Sequence, residues 1–198
     1  MRIQVHRFLP STRVEGPGLR ACLQVQGCPI HCPGCAVPFT WPDHGGYAVD
    51  VEELAQKILE GPPIEGITFL GGEPFAQARS LAALAKILRQ NGLSVMTFTG
   101  YRLEDLQRAS NPDYHDLIEA TDLLIDGPFQ KANLDTSRPW IGSSNQRYHF
   151  LTDRYKSLEP VLKDIPNRLE VRIQPDGRVT ANGLAEMTDL DALFRSLL

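Results

Sequence analysis

All four cysteines of the chain fall within residues 22–35, and three of them, Cys28, Cys32 and Cys35, share one loop of C-x-x-x-C-x-x-C spacing. Residues 19–26 (LRACLQVQ) read as an apolar strand running directly into that loop. Pro29 and Pro33 disfavour helical geometry at Cys28 and Cys32, and Gly34 admits conformations closed to other residues, so the loop is built to curl. A curled loop can turn three thiols inward toward one metal centre. Disulfides are the rival use of four cysteines. The opening residues, MRIQVHRFLP, hold no apolar run of the signal-peptide kind, so the expectation is a cytoplasmic chain whose clustered cysteines bind metal or do redox chemistry. No later apolar run is long enough to cross a bilayer. A net charge of -4 without a run of Lys or Arg gives no footprint for nucleic acid.

Apolar, β-branched stretches alternate with helical patterns along the rest of the chain. Asp50 can cap a helix, with Glu53 completing a capping box and Val51, Leu54, Ala55, Ile58 and Leu59 on one face, until Gly61-Pro62-Pro63 stops it. Residues 66–70 (GITFL) predict a buried strand turning at Gly71-Gly72. A second helix shows Leu81, Leu84 and Leu88 on one face with Gly92 as its C-terminal cap. Residues 93–98, 121–126 and 148–151 read as strands, 102–109 as a short helix, and 189–198 as a final helix. Pro175-Asp176-Gly177 reads as the turn of a late hairpin. Repeated strand–helix units with short loops predict an α/β fold with a mainly parallel sheet. A closed eight-unit barrel needs roughly 250 residues. At 198 residues, with no repeat or linker, the expectation is one domain built as an open partial (β/α) barrel.

Three cysteine ligands, rather than four, is the informative count. Electron-transfer clusters usually take four cysteines. The remaining candidate, Cys22, sits inside the alternating strand and reads as a small buried hydrophobe. If so, a [4Fe-4S] cluster held by Cys28, Cys32 and Cys35 keeps one iron open for an outside ligand. The alternative is a structural zinc site with His31 or His44 as fourth ligand, although no downstream C-x-x-C or H-x-x-x-H pair is present.

Here the chain resembles the radical S-adenosylmethionine (SAM) superfamily, whose signature is this cysteine spacing. Gly16-Pro17-Gly18-Leu19-Arg20 is similar to the G-P-G-[IL]-R that glycyl-radical activating enzymes carry before the loop, and Gly71-Gly72-Glu73-Pro74 resembles the superfamily's GGE(P) motif. Thr99-Gly100-Tyr101, Ile125-Asp126-Gly127-Pro128-Phe129 and Gly142-Ser143-Ser144-Asn145-Gln146-Arg147 resemble the anaerobic (class III) ribonucleotide reductase activase branch. Two departures stand out: Gly34 replaces an aromatic residue common before the third cysteine, and Ala36-Val37 replaces the His-Asn or Tyr-Asn common after it.

The resemblance implies that SAM chelates the open iron and that one electron cleaves it to methionine and a 5′-deoxyadenosyl radical. It also implies that this radical takes a hydrogen atom from a backbone glycine of a partner, such as anaerobic ribonucleotide reductase. A low-potential donor such as flavodoxin or ferredoxin would supply the electron. Modification of another peptide or a small molecule, or a non-catalytic iron–sulfur or zinc module, are the rival functions. Gly71 and Gly72 let a ligand approach the backbone, and Glu73 offers an acceptor for the ammonium that the resemblance assigns to SAM. Thr97 and Thr99 are expected to share one side of a strand, either the ligand side or an ordinary one. Asp126 is read as contacting the ribose or carboxylate of SAM or as capping a turn. Asn145 and Arg147 belong to a polar cluster with Ser143, in which Arg147 pairs with a carboxylate or lies in a solvated loop.

Overall fold

A computed structural model of the protein describes residues 1–184 together with Asp191 and Arg195, so the helix expected over 189–198 lies, those two positions apart, outside the described residues. The elements in order are β1 (Arg2–Thr12), β2 (Arg20–Val25), β3 (Tyr47–Asp50), α1 (Val51–Leu59), β4 (Gly66–Gly71), α2 (Ala78–Gln90) and β5 (Ser94–Phe98). They continue with α3 (Leu103–Arg108), α4 (Pro112–Glu119), β6 (Leu123–Asp126), β7 (Arg147–Phe150), β8 (Leu169–Ile173) and β9 (Val179–Gly183). The first seven strands form one open sheet in the order β3-β1-β2-β4-β5-β6-β7, and β8 pairs with β9 as a separate hairpin. Its centre, β2-β4-β5-β6, is parallel, while β1, β3 and β7 pair antiparallel at the sides. The fold is therefore mixed α/β with a parallel core, and the sheet does not close.

The helices form for local reasons that the sequence carries. Asp50 caps α1 by accepting the Glu52 N–H at 3.0 Å, and the expected return bond from Glu53 is not made. Val51, Leu54, Ala55 and Ile58 are buried, whereas Leu59, in the last position of α1, is 40% exposed rather than part of that face. Leu81, Leu84 and Leu88 of α2 are fully buried, and Gly92 takes the left-handed conformation that ends the helix (φ 82°). The single short helix expected after β5 is two: α4 starts separately, with Asn111 accepting the Asp113 N–H at 3.1 Å and Pro112 in the first turn.

Strand order advances steadily through the parallel core, and α1, α2, α3 and α4 all pack on one face of it. On that face Ala21, Leu23, Val25, Ile67, Phe69, Val95 and Leu124 pack with the buried sides of the helices. The alternate residues point to an inner face, where Met96, Leu123 and Ile125 pack with Ile141 and Tyr155. At the lower end of this face lies the fully buried Arg20. It donates from Nε to Thr68 Oγ1 (2.7 Å), from Nη1 to the Pro17 carbonyl (2.6 Å), and from Nη2 to the Ile67 carbonyl (2.8 Å). A Cβ on Gly16 would meet Arg20 Cδ at 2.9 Å and Met96 Sδ at 2.7 Å. The G-P-G-L-R segment is thus a hydrogen-bonded foot under the sheet, anchored by the buried Gly16 and Arg20, at the opposite strand ends from the cysteines.

Candidate metal and cofactor site

β2 ends at Val25, and the chain turns out through Gly27, whose φ of 94° favours glycine. The loop that follows closes on itself: Gly27 N–H donates to the Thr40 carbonyl (2.8 Å) and Cys28 N–H to the Trp41 carbonyl (2.9 Å). Gln26 ties the base, its Nε2 donating to the Phe39 and Pro42 carbonyls at 3.2 and 2.7 Å. Within it, Cys35 N–H donates to the Cys32 carbonyl (3.1 Å) around Gly34 at φ 80°. The curl expected from the prolines and glycine is present.

Cys28, Cys32 and Cys35 line one cavity, and its opposite wall is made by Gly71, Gly72, Glu73, Thr99, Gly100 and Gly127. The glycines are required by close approach. A Cβ on Gly71 would lie 2.8 Å from Gln24 Cα, on Gly72 2.2 Å from the Gly27 carbonyl oxygen, and on Gly100 2.7 Å from Ile30 Cδ1. Backbone bonds stitch this wall to the loop: Gly72 N–H donates to the Val25 carbonyl and Glu73 N–H to the Gly27 carbonyl, both at 2.8 Å. The strand ends and the cysteine loop are therefore one rigid rim.

Glu73 is 1% exposed. Its carboxylate accepts the Phe75 N–H and the Thr99 hydroxyl at Oε1 and the Gly100 N–H at Oε2, each at 2.9 Å. Burial nonetheless dominates and pushes its pKa up to about 7. Burial likewise raises the Cys28 and Cys32 thiols, opposed at Cys28 by the His31 and Ile30 amides and at Cys32 by the Phe129 amide. Those amides are donors to sulfur of the kind that tunes iron–sulfur centres.

Half-exposed thiols on a glycine-lined cavity, with backbone N–H groups at all three, among them Val37 N–H donating to Cys35 Sγ at 3.4 Å, fit an iron–sulfur cluster. All three thiols line the one cavity, and in a cubane each of three irons takes its own thiolate. Of the zinc candidates, His31 stacks on Trp41 with ring centroids 4.8 Å apart, and His44 projects into solvent beside Asp43. Cys22 is fully buried within β2, its thiol pushed well up by burial.

Four further candidates lie off the cavity wall. Thr97 is fully buried on the helix side and bonds Thr121 (2.9 Å), so it does not share a side with Thr99. The reason is that Thr99 lies beyond the end of β5, where the two-residue alternation no longer holds; the β5 side chain that lines the cavity is Phe98. Asp126 also alternates onto the helix side. It is fully buried, caps α3 by accepting the Leu103 N–H at 2.7 Å, and pairs with Arg147 through Nε (3.0 Å) and Nη2 (2.5 Å). His149 Nε2 stands 3.0 Å from the same carboxylate. Arg147 also forks onto Glu104, both contacts at 2.8 Å, so its carboxylate partners are within the chain. Burial opposes ionisation of Asp126, but the His149 ring, the Arg147 guanidinium and the Leu103 N–H together hold its carboxyl well below the usual carboxylate range. Asn145 donates to the Pro128 carbonyl (2.7 Å), while its Oδ1 is buried without a partner. Sequence reasoning missed Ile30, Phe98, Phe129 and Gln146 on the cavity wall. Phe129 and Gln146 stand inside the quoted motifs, where more conspicuous charged neighbours drew the assignment.

A parallel α/β sheet with a three-cysteine loop at its carboxyl ends defines an iron–sulfur protein, and the family described as "4Fe-4S single cluster domain" matches residues 14–149. The anaerobic ribonucleoside-triphosphate reductase-activating protein of Salmonella typhi is 32% identical over 75% of this chain and 99% of its own. Its counterpart in Enterobacteria phage T4 is 34% identical over 74% of this chain and 94% of its own. A pyruvate formate-lyase-activating enzyme of Clostridium pasteurianum is 30% identical over 62% of this chain and 50% of its own. The chain belongs to the anaerobic ribonucleoside-triphosphate reductase-activating protein family, a branch of the radical SAM enzymes. Its cofactors are a [4Fe-4S] cluster and S-adenosyl-L-methionine.

Proposed function

We propose that this chain installs a glycyl radical on a partner protein, and that the partner is an anaerobic ribonucleoside-triphosphate reductase. One observation carries the reading: three cysteines, and no fourth, line the same cavity as the glycine wall, while Cys22 is sealed inside β2. That arrangement supports a cluster with one iron left for SAM. When bound, the reduced cluster supplies the electron that cleaves SAM to methionine and a 5′-deoxyadenosyl radical.

The residues then have separate tasks. Cys28, Cys32 and Cys35 hold the cluster. Gly71 and Gly72 let the end of β4 press against β2 and the cysteine loop, which sets the wall on which SAM would lie. Glu73 spends three acceptor positions on its own chain, and a carboxylate has about four, which leaves one for the SAM ammonium. Thr99 acts through Glu73. Thr97, Asp126, Asn145 and Arg147 support the rim from behind rather than touching SAM.

An open partial barrel, in a single domain spanning residues 1–198, suits the task because a partner's loop must reach the cavity from the uncovered side. The unclosed sheet and the one-sided helix layer support that reading. Among the described residues no helix is long and apolar enough to cross a membrane. A cytoplasmic setting, where thiols stay reduced, suits cysteine ligation, with flavodoxin or ferredoxin as electron donor. The test is electron paramagnetic resonance of the reductase after anaerobic incubation with reconstituted protein, SAM and reductant. The expected result is a glycyl doublet that vanishes when SAM is omitted; no doublet on the reductase would refute the choice of partner.

A further inference from the structure

Two polar side chains on the inner face, one and two strands away from the cavity wall at Leu70, have no task in what precedes. Gln24 is 8% exposed, in the middle of β2. Among the described residues its amide makes no hydrogen bond, and neither amide atom is sealed from solvent. Its neighbour in the same row, Gln26, is fully committed to the loop and to His6. The amide of Gln24 thus keeps its donors and acceptor open at the surface of the inner face, spent on nothing within the chain.

Cross-strand register supplies the second group. Arg7 of β1 pairs directly with Gln24, so both side chains stand on one face about 5 Å apart at Cβ. Arg7 makes no hydrogen bond or ion pair among the described residues, though its charge partly offsets the burial that raises the Glu15 carboxyl. On the other side Gln24 is in register with Leu70, which lines the cysteine cavity. An amide and a guanidinium without hydrogen bonds in the chain therefore form a polar pair on the inner face, with Gln24 one strand away from Leu70 of the cavity wall.

We propose that Arg7 and Gln24 bind the main chain of the partner's polypeptide segment and position it over the cavity. The chemistry favours a peptide. A glutamine amide donates and accepts in the geometry of a peptide group, and a guanidinium donates in a fork to carbonyl oxygens. The carboxylate of SAM could also take a guanidinium, and the KM for SAM separates that occupant from a peptide. Half-buried Leu70 and Phe98 beside them offer an apolar floor for small side chains. Both residues are positioning residues, and the proposal rests on the reading that a partner protein is the substrate.

The test uses reconstituted holoenzyme with anaerobic ribonucleoside-triphosphate reductase as probe, comparing Gln24→Leu, Arg7→Ala and Arg7→Lys with wild type. The expected result is a KM for the reductase, and a complex Kd by fluorescence anisotropy, raised about 10-fold by loss of a hydrogen bond to a charged or peptide group. The KM for SAM should stay put, and Arg7→Lys should recover at least part of the loss. An unmoved KM for the reductase in Gln24→Leu and Arg7→Ala overturns the proposal, as does a KM for SAM that rises in step. If wild type itself leaves no radical on the reductase, the proposed function fails first and the pair's role with it.

Discussion

Glu73 shows how much a motif residue can be asked to do at once. Its carboxylate joins the end of β4 to Thr99 and Gly100 beyond β5, and burial holds its pKa near 7 despite three donors. A raised carboxyl pKa means that the folded state binds the proton more tightly than the unfolded chain does. Stability from this group is then fully present below about 4.5 and is lost as pH rises through 7. In the cluster-free protein, urea unfolding should show wild type losing stability across that window relative to Glu73→Gln, by an amount on the order of 3 kcal/mol. Parallel pH profiles for the two proteins would show that the carboxylate is ionised as readily in the fold as in water. The presence of Glu73 in the site was legible in the sequence because Gly71-Gly72 precede it. Its bonds to Thr99 and Gly100 were not, since they join segments 26 and 27 residues apart.

At the scale of elements, periodicity and caps located β2, β4, β5, α1 and α2, because each carries a clear apolar row or a stop signal. β1 escaped because bulges between Val5 and Arg7 and between Leu9 and Thr12 break its alternation. The short α4 escaped because only Leu117 among its residues is buried, although Asn111-Pro112 marks its start. Asp126 illustrates a larger difficulty. One residue decides between facing SAM and facing the helices, and alternation along β6 sends it to the helices. There it fastens β6 to α3 and, through Arg147, to β7. Asp126→Asn should cost about 1.5–3 kcal/mol at neutral pH, the range for a charged hydrogen bond. Because its folded pKa is depressed, the benefit exists above the unfolded value and is lost as pH falls through the folded one. The stability gap between wild type and Asp126→Asn, read from urea midpoints, should therefore narrow as pH drops below about 4. A gap that is absent at pH 7 would show that the ion pair holds nothing together.

Across the whole molecule, chemistry and support are divided between two ends of one sheet. Arg20 and its partners anchor the strand beginnings, and the cysteine loop, glycine wall and Glu73 crowd the strand ends. The cysteine trio was readable from spacing alone, whereas the inner-face pair of Arg7 and Gln24 needed the register of β1 against β2 to be seen. The measurement that bears most directly on the central claim is anaerobic reconstitution followed by SAM and a strong reductant, with iron, sulfide and 5′-deoxyadenosine quantified together. One cubane per chain and 5′-deoxyadenosine production are expected for wild type and for Cys22→Ala, and both should be lost in Cys28→Ala, Cys32→Ala and Cys35→Ala. Stoichiometric zinc without sulfide, or a cluster that leaves SAM intact, would contradict it.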